Sequence, residues 1–155
     1  EVSTLPVLNV GYLENNDGDS TVVCGSGTTL TTITQTGGSL TTYSAVTTLT
    51  VHGGTYYAYS GTHTTINIEG GKVVWLGAGT ITTLNINTDG EFDADQSDGA
   101  FTITNTIVMR AGSILKNRKR RINSGATPVI QLSGCGLKDV TIDLGDNITA
   151  TIAYN

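Results

Sequence analysis

The sequence predicts an all-β fold, a Thr-rich β-solenoid of about five clear coils plus looser capping coils, with little or no helix. Three observations carry that prediction. A short phrase returns five times, over Ile33–Gly38, Leu49–Gly54, Ile66–Gly71, Leu84–Gly90 and Ile107–Gly112, so that its lead positions are Ile33, Leu49, Ile66, Leu84 and Ile107. That spacing is too short for a helix-pair repeat and suits one turn of a β-solenoid. Each phrase alternates apolar and polar residues and closes on glycine, the signature of a half-buried strand running into a corner. The composition agrees, with 28 threonines, 20 glycines and two prolines, and with charged residues held to 14%.

Residues 1–20 fall outside the repeat. Leu5, Val7, Leu8, Tyr12 and Leu13 make this stretch apolar, and Glu14–Asp19 follows it as a turn. It reads as an N-terminal arm or cap that covers the open edge of the first coil, or that docks on a partner surface. Residues 21–145 form the solenoid domain. Its inward column is Ile33, Leu49, Ile66, Leu84 and Ile107, joined two positions later by Gln35, Val51, Ile68, Ile86 and Met109 on the same strand face. The intervening positions are almost all Thr or Asn, which stack into ladders between coils.

A second strand follows each glycine. Two positions beyond Gly38, Gly54, Gly71, Gly90 and Gly112 stand Leu40, Tyr56, Val73, Phe92 and Ile114, the predicted second inward column. The glycines mark corners that need positive φ or close backbone approach. Ile130–Gly134 and Val140–Gly145 predict two further coils or a closing cap, and residues 146–155 a C-terminal strand.

The net charge of −5 and the absence of a long apolar run or a signal peptide point to a soluble chain with no membrane partner. The chain begins at Glu1 and its one methionine is Met109, which reads as a missing initiator or a processed leader. Cys24 precedes the first clear coil and Cys135 follows the fifth. At about 4.8 Å per coil they would stand about 24 Å apart, so buried free thiols are expected, with an intermolecular bridge as the alternative.

Few residues carry candidate chemistry, and none calls for a cofactor. Glu91, Asp93 and Asp95 alternate and Asp98 follows in the segment that lengthens the last spacing, from Leu84 to Ile107, and the three aspartates are the calcium candidates. Counted from Asp93 as an EF-hand loop, however, position six is Asp98 rather than Gly and position twelve is Thr104 rather than Glu, so a solvated acidic loop competes with calcium and with glycan cleavage. His52 and His63 have no ligand or triad spacing and read as surface residues.

Lys116, Arg118, Lys119, Arg120 and Arg121 hold five of the eight cations, a cluster suited to an acidic partner surface. A sequence pI near 4.7 argues against nucleic acid. Tyr43, Tyr59 and Leu76 lie five positions past a corner glycine, and Tyr57 and Val74 three past. These odd offsets point outward and predict a subunit interface, unless the arm covers that face.

Thr-rich coils, Leu-Asn-Ile corners, acidic composition and the ending Gly134–Gly145 together resemble small β-solenoid structural proteins of tailed bacteriophages, over about residues 28–145. The resemblance implies a non-enzymatic capsid cement or decoration protein on the virion surface, assembled in the host cytoplasm. It further implies a homotrimer bound to the major capsid protein or another virion protein. The alternatives are a tail-spike or adhesin that binds glycans through exposed Tyr and Trp75, and a polysaccharide lyase or hydrolase working through the acidic loop.

Overall fold

The computed structural model describes residues 3–11, 20–123, 129–145 and 150–155. In chain order its strands are β1 (Ser3–Val10), β2 (Thr21–Cys24), β3 (Thr28–Gln35), β4 (Ser39–Thr42), β5 (Val46–Val51), β6 (Thr55–Ala58), β7 (Thr62–Ile68), β8 (Lys72–Trp75) and β9 (Thr80–Ile86). They continue as β10 (Glu91–Asp93), β11 (Phe101–Ile103), β12 (Ile107–Met109), β13 (Ile114–Lys116), β14 (Ile122–Asn123), β15 (Val129–Leu132), β16 (Thr141–Asp143) and β17 (Thr151–Tyr154). A single 3-10 turn at Leu137–Asp139 is the only helical piece among the described residues.

The chain winds between two parallel sheets. One runs in the order β1-β3-β5-β7-β9-β12-β15-β17, with β11 between β9 and β14, and the other in the order β2-β4-β6-β8-β10-β13-β16. The fold is the predicted β-solenoid. Register follows the repeat: Ile33 pairs with Leu49, Leu49 with Ile66, Ile66 with Leu84, and Leu84 with Ile107. The column extends to Leu8 at one end and to Ile130 and Ile152 at the other. Ile33, Leu49, Ile66 and Leu84 are wholly buried. On the outward side Asn85 donates its amide to Asn67 at 2.8 Å, one rung of a side-chain ladder.

The segment read as an arm is itself part of the stack. Ser3–Val10 pairs with β3 in continuous register, so Leu8 sits on Ile33 and Val10 on Gln35. Its apolar residues did not look like a repeat because the step from Leu8 to Ile33 is much longer than the later steps from Ile33 to Leu49, Leu49 to Ile66 and Ile66 to Leu84. The closing segments differ from expectation in the same sense. Residues Ile130–Leu132 and Thr141–Asp143 are the two strands of one coil rather than two coils, since β15 joins the first sheet and β16 the second.

The second inward column is Leu40, Tyr56, Val73, Phe92 and Leu115, not Ile114. Leu115 is wholly buried, whereas Ile114 pairs with outward Glu91. One added corner residue causes the shift. From Val51 to Tyr56 and from Ile68 to Val73 the corner takes five steps, but from Ile86 to Phe92 and from Met109 to Leu115 it takes six. The positive-φ position of the fourth corner accordingly falls on Asp89 (φ 61°) rather than on Gly90. Asp is among the few side chains that tolerate this region.

The corners need glycine for a second reason. A Cβ on Gly54, whose φ is 76°, would lie 2.3 Å from the Gly38 carbonyl oxygen of the preceding coil. Gly54→Ala is therefore expected to lose about 1–3 kcal/mol of stability by chemical denaturation. Gly99→Ala, with nothing within 4 Å, is the silent control. Ile66→Asp, which puts an unpaired carboxylate into the wholly buried column, should abolish the β-type circular dichroism, because its cost of several kcal/mol is comparable with the whole stability of about 5–15 kcal/mol. Thr65→Val, on the opposite face, should leave the melting temperature nearly unchanged.

Candidate functional site

The outer face of the second sheet carries the chemically varied surface. Its register sets Thr55, Lys72, Glu91 and Ile114 in one column and Tyr57, Val74, Asp93, Lys116 and Asp143 in the next. Outward side chains of β2, β4, β6 and β8 are neutral except Lys72. From β10 onward they are mostly charged.

Acidic segment and basic run meet on this face. Lys72 Nζ lies 2.9 Å from both Glu91 Oε1 and Asp93 Oδ2, and Lys116 Nζ lies 2.7 Å from the same Glu91 oxygen. Arg118 Nε is 2.8 Å from Asp143 and 3.7 Å from Asp95, and the Lys119 amide donates to Asp95 at 3.0 Å. Partial burial pushes the Glu91 carboxyl up, but the hydrogen bonds from Lys116 and Lys72 outweigh it and hold it below the usual range. For Lys72, partial desolvation acts downward, and the two carboxylates outweigh it to raise the ammonium.

This arrangement revises two expectations. Lys116 and Arg118 brace the solenoid instead of presenting free charge, and buried Asn117 closes the turn by accepting from the Arg121 and Ile122 amides at 2.8 and 3.2 Å. Lys119 and Arg120 remain exposed, and Arg121 is half-buried. Asp93 and Asp95 are engaged by cations, Asp98 is exposed, and among the described residues no three His, Cys, Asp or Glu side chains group to hold a metal ion. The signal was present in the spacing. The offset that carries Leu84 to Ile107 also carries Asp93 to Lys116 and Asp95 to Arg118.

The predicted aromatic stripe divides into three parts. Tyr43 and Tyr59, 40% and 43% exposed, stack with ring centroids 4.7 Å apart and planes 18° from parallel. Val74 is buried. Tyr57 and Leu76 are half-buried and, with Val74, are the apolar residues lining a cleft of about 310 Å³ whose polar lining is Thr55, Lys72, Asp93 and Gln96. The segment following β10 supplies Gln96 to this lining, anchored by the Asp98 amide on the Leu76 carbonyl at 2.9 Å and the Asp95 amide on Asp93 at 3.0 Å.

The remaining partner candidates do not form one patch with the basic turn. Leu5 and Val7 are exposed on β1 and Leu8 is half-buried, while Tyr12, Leu13 and the Glu14–Asp19 turn lie outside the described residues. Five coil steps of about 4.8 Å put β1 about 24 Å from the basic turn. Cys24 and Cys135 are free and half-buried rather than fully buried, and burial pushes the Cys24 thiol up.

His63 is a core residue, not a surface one. It stands in the column Leu30, Val46, His63, Ile81, where the repeat offset would have placed it had the column been extended three positions ahead of the lead. Its Nε2 is 2.7 Å from the Tyr56 hydroxyl, which is 2.6 Å from Thr42 Oγ1, and its ring meets buried Trp75 edge-on at 5.0 Å. Burial of Trp75 removes it from any surface role. Burial also pushes the Tyr56 phenol far above its ordinary range and lowers His63 to about 4.

The unfolded chain thus takes up a proton at His63 near the ordinary pH of 6.5 that the folded chain refuses until about 4. Stability should be full above 6.5, fall by about 3 kcal/mol as pH drops through that window, and level off below it. His63→Leu should flatten this part of a urea-midpoint profile. Loss of Glu91 charge adds to acid destabilisation at lower pH in both chains.

No family model matches this sequence, and no curated protein and no solved structure matches it, so its function is argued from residues and geometry alone.

Proposed function

We propose that this chain is a non-enzymatic structural protein of a virion, a cement or decoration protein that fastens to an assembled shell as a homo-oligomer, with a trimer favoured by the resemblance to phage β-solenoids. The observation that carries the reading is the exposed Tyr43–Tyr59 stack on a rigid parallel solenoid. Two adjoining rings expose apolar area that a symmetric contact buries, and a stack of coils holds them at fixed spacing with little ordering cost.

Pairing of the acidic segment also favours a structural role over glycan cleavage. Glu91, Asp93 and Asp95 are each engaged by Lys or Arg, so the proton that a general acid must carry is disfavoured at Glu91. Shell contact is assigned to Lys119 at the basic turn and to Leu5 and Val7 on the end strand, in place of the braced Lys116 and Arg118.

Light scattering on the purified chain should give an oligomer mass at micromolar concentration, and Tyr59→Glu should reduce it to a folded monomer. A wild-type monomer counts against the proposal. Incubation with undecorated phage shells should then give saturable occupancy and greater resistance of the shell to heat. Attachment that weakens with salt and with Lys119→Ala assigns the contact to the basic turn, since exposed charges are screened beyond about 8 Å at physiological ionic strength. Attachment lost in the Leu5→Ser, Val7→Ser double variant assigns it to the end strand.

A further inference from the structure

We propose that the cleft on the outer face of the second sheet binds a neutral saccharide of one or two rings. Its volume of about 310 Å³ lies at the low end for ligand pockets, the scale of a short sugar rather than of a nucleotide cofactor. Its lining combines two chemistries. Tyr57, Val74 and Leu76 supply a hydrocarbon and aromatic surface for the C–H face of a pyranose, and Thr55, Lys72, Asp93 and Gln96 supply both donors and acceptors for its hydroxyls.

Electrostatic balance selects neutral over charged ligands. Lys72 is already matched by Glu91 and Asp93 at 2.9 Å, so an anion entering the cleft meets the Asp93 carboxylate and a cation meets the ammonium. A polyol can use both. An apolar side chain from a protein partner would instead remove Lys72 and Asp93 from water without returning hydrogen bonds.

Preorganisation strengthens the case. Asp93 is buried and held by Lys72, and the segment bearing Gln96 is fixed before it by the Asp95 amide on Asp93 at 3.0 Å and after it by the Asp98 amide on the Leu76 carbonyl at 2.9 Å. Ligand entry therefore requires little ordering of the lining. Tyr43 and Tyr59 are poorer sugar platforms, because each turns one ring face onto the other. The site does not depend on the shell-binding reading.

The test is amide-resolved NMR on the full chain and on Tyr59→Glu, which keeps every residue lining the cleft. Each is titrated to millimolar concentration with glucose, galactose, mannose, N-acetylglucosamine, lactose and chitobiose, and separately with glucuronate, glucosamine and inorganic phosphate. The expected result is a saturable shift at Thr55, Tyr57, Lys72 and Gln96 with at least one neutral sugar. Gln96→Ala and Thr55→Val should each weaken it by roughly three- to tenfold, the worth of one hydrogen bond, with an unchanged melting temperature. Binding in Tyr59→Glu alone supports the site and shows that a subunit contact covers it. The proposal is overturned if no neutral sugar gives a saturable shift, if a charged probe binds more tightly than all of them, or if neither variant weakens binding.

Discussion

Every feature of this molecule is conditioned by parallel, in-register stacking of one coil on the next. The backbone groups of each strand are satisfied by neighbouring coils, so a residue's environment is set less by its sequence neighbours than by residues one coil length away. Coil length is not constant. It grows along the axis from the step joining Ile33 to Leu49 to the longer step joining Leu84 to Ile107, and the additions are absorbed at corners and returns while the strands keep register. The corners tolerate this unequally. Gly54 is confined by a carbonyl of the coil before it, whereas the fourth corner gains a residue and accepts Asp89 at positive φ.

Stacking also explains how polar groups persist in the interior. Gln35 occupies an inward position otherwise held by Val51, Ile68 and Ile86, and its amide donates to the carbonyls of Gly38 and Thr55, both at 3.1 Å. Thr42, Tyr56 and His63 form a second polar chain through side chains contributed by three successive coils. The two solutions differ in their pH response. Gln35 is neutral at every pH, while His63 is held neutral by its burial among Tyr56, Trp75 and aliphatic residues, which couples this part of the core to acid.

Legibility in the sequence followed the constancy of the spacing. The first inward column was readable from Ile33 to Ile107, where its alternation survives the change in coil length, and was missed at Leu8, which stands one much longer step before Ile33. The second was readable through Phe92 and failed at Leu115: both corners take six steps, but in the fourth the glycine follows the positive-φ Asp89, so two positions past it still falls on Phe92, whereas in the fifth Gly112 is itself at positive φ and the same count stops one short. His63 and Trp75 were missed for a different reason. Local context makes one look like a loop histidine and the other like an exposed aromatic, and only their coil-offset partners, Val46 and Ile81 for one and Ala58 for the other, identify them as core. Lys116 and Arg118 escaped in the same way, read as part of a dense local charge rather than as a rung above an acidic one.

The two sheets differ in how far their outward faces vary along the axis. Outward positions of the first sheet repeat Thr and Asn with little variation, as a surface selected to stack on itself would. Outward positions of the second sheet change character along the axis, from Tyr43, Thr55, Tyr57 and Tyr59 to the network of Glu91, Asp93, Lys116, Arg118 and Asp143. The ion pairs contribute modestly where they are exposed, but Asp93 is buried and must keep Lys72 as its partner. That requirement fixes a charged pair at the boundary between the aromatic and ionic halves of the face. The cleft lies on this boundary, where the fold itself brings apolar side chains and a set of donors and acceptors into one concavity.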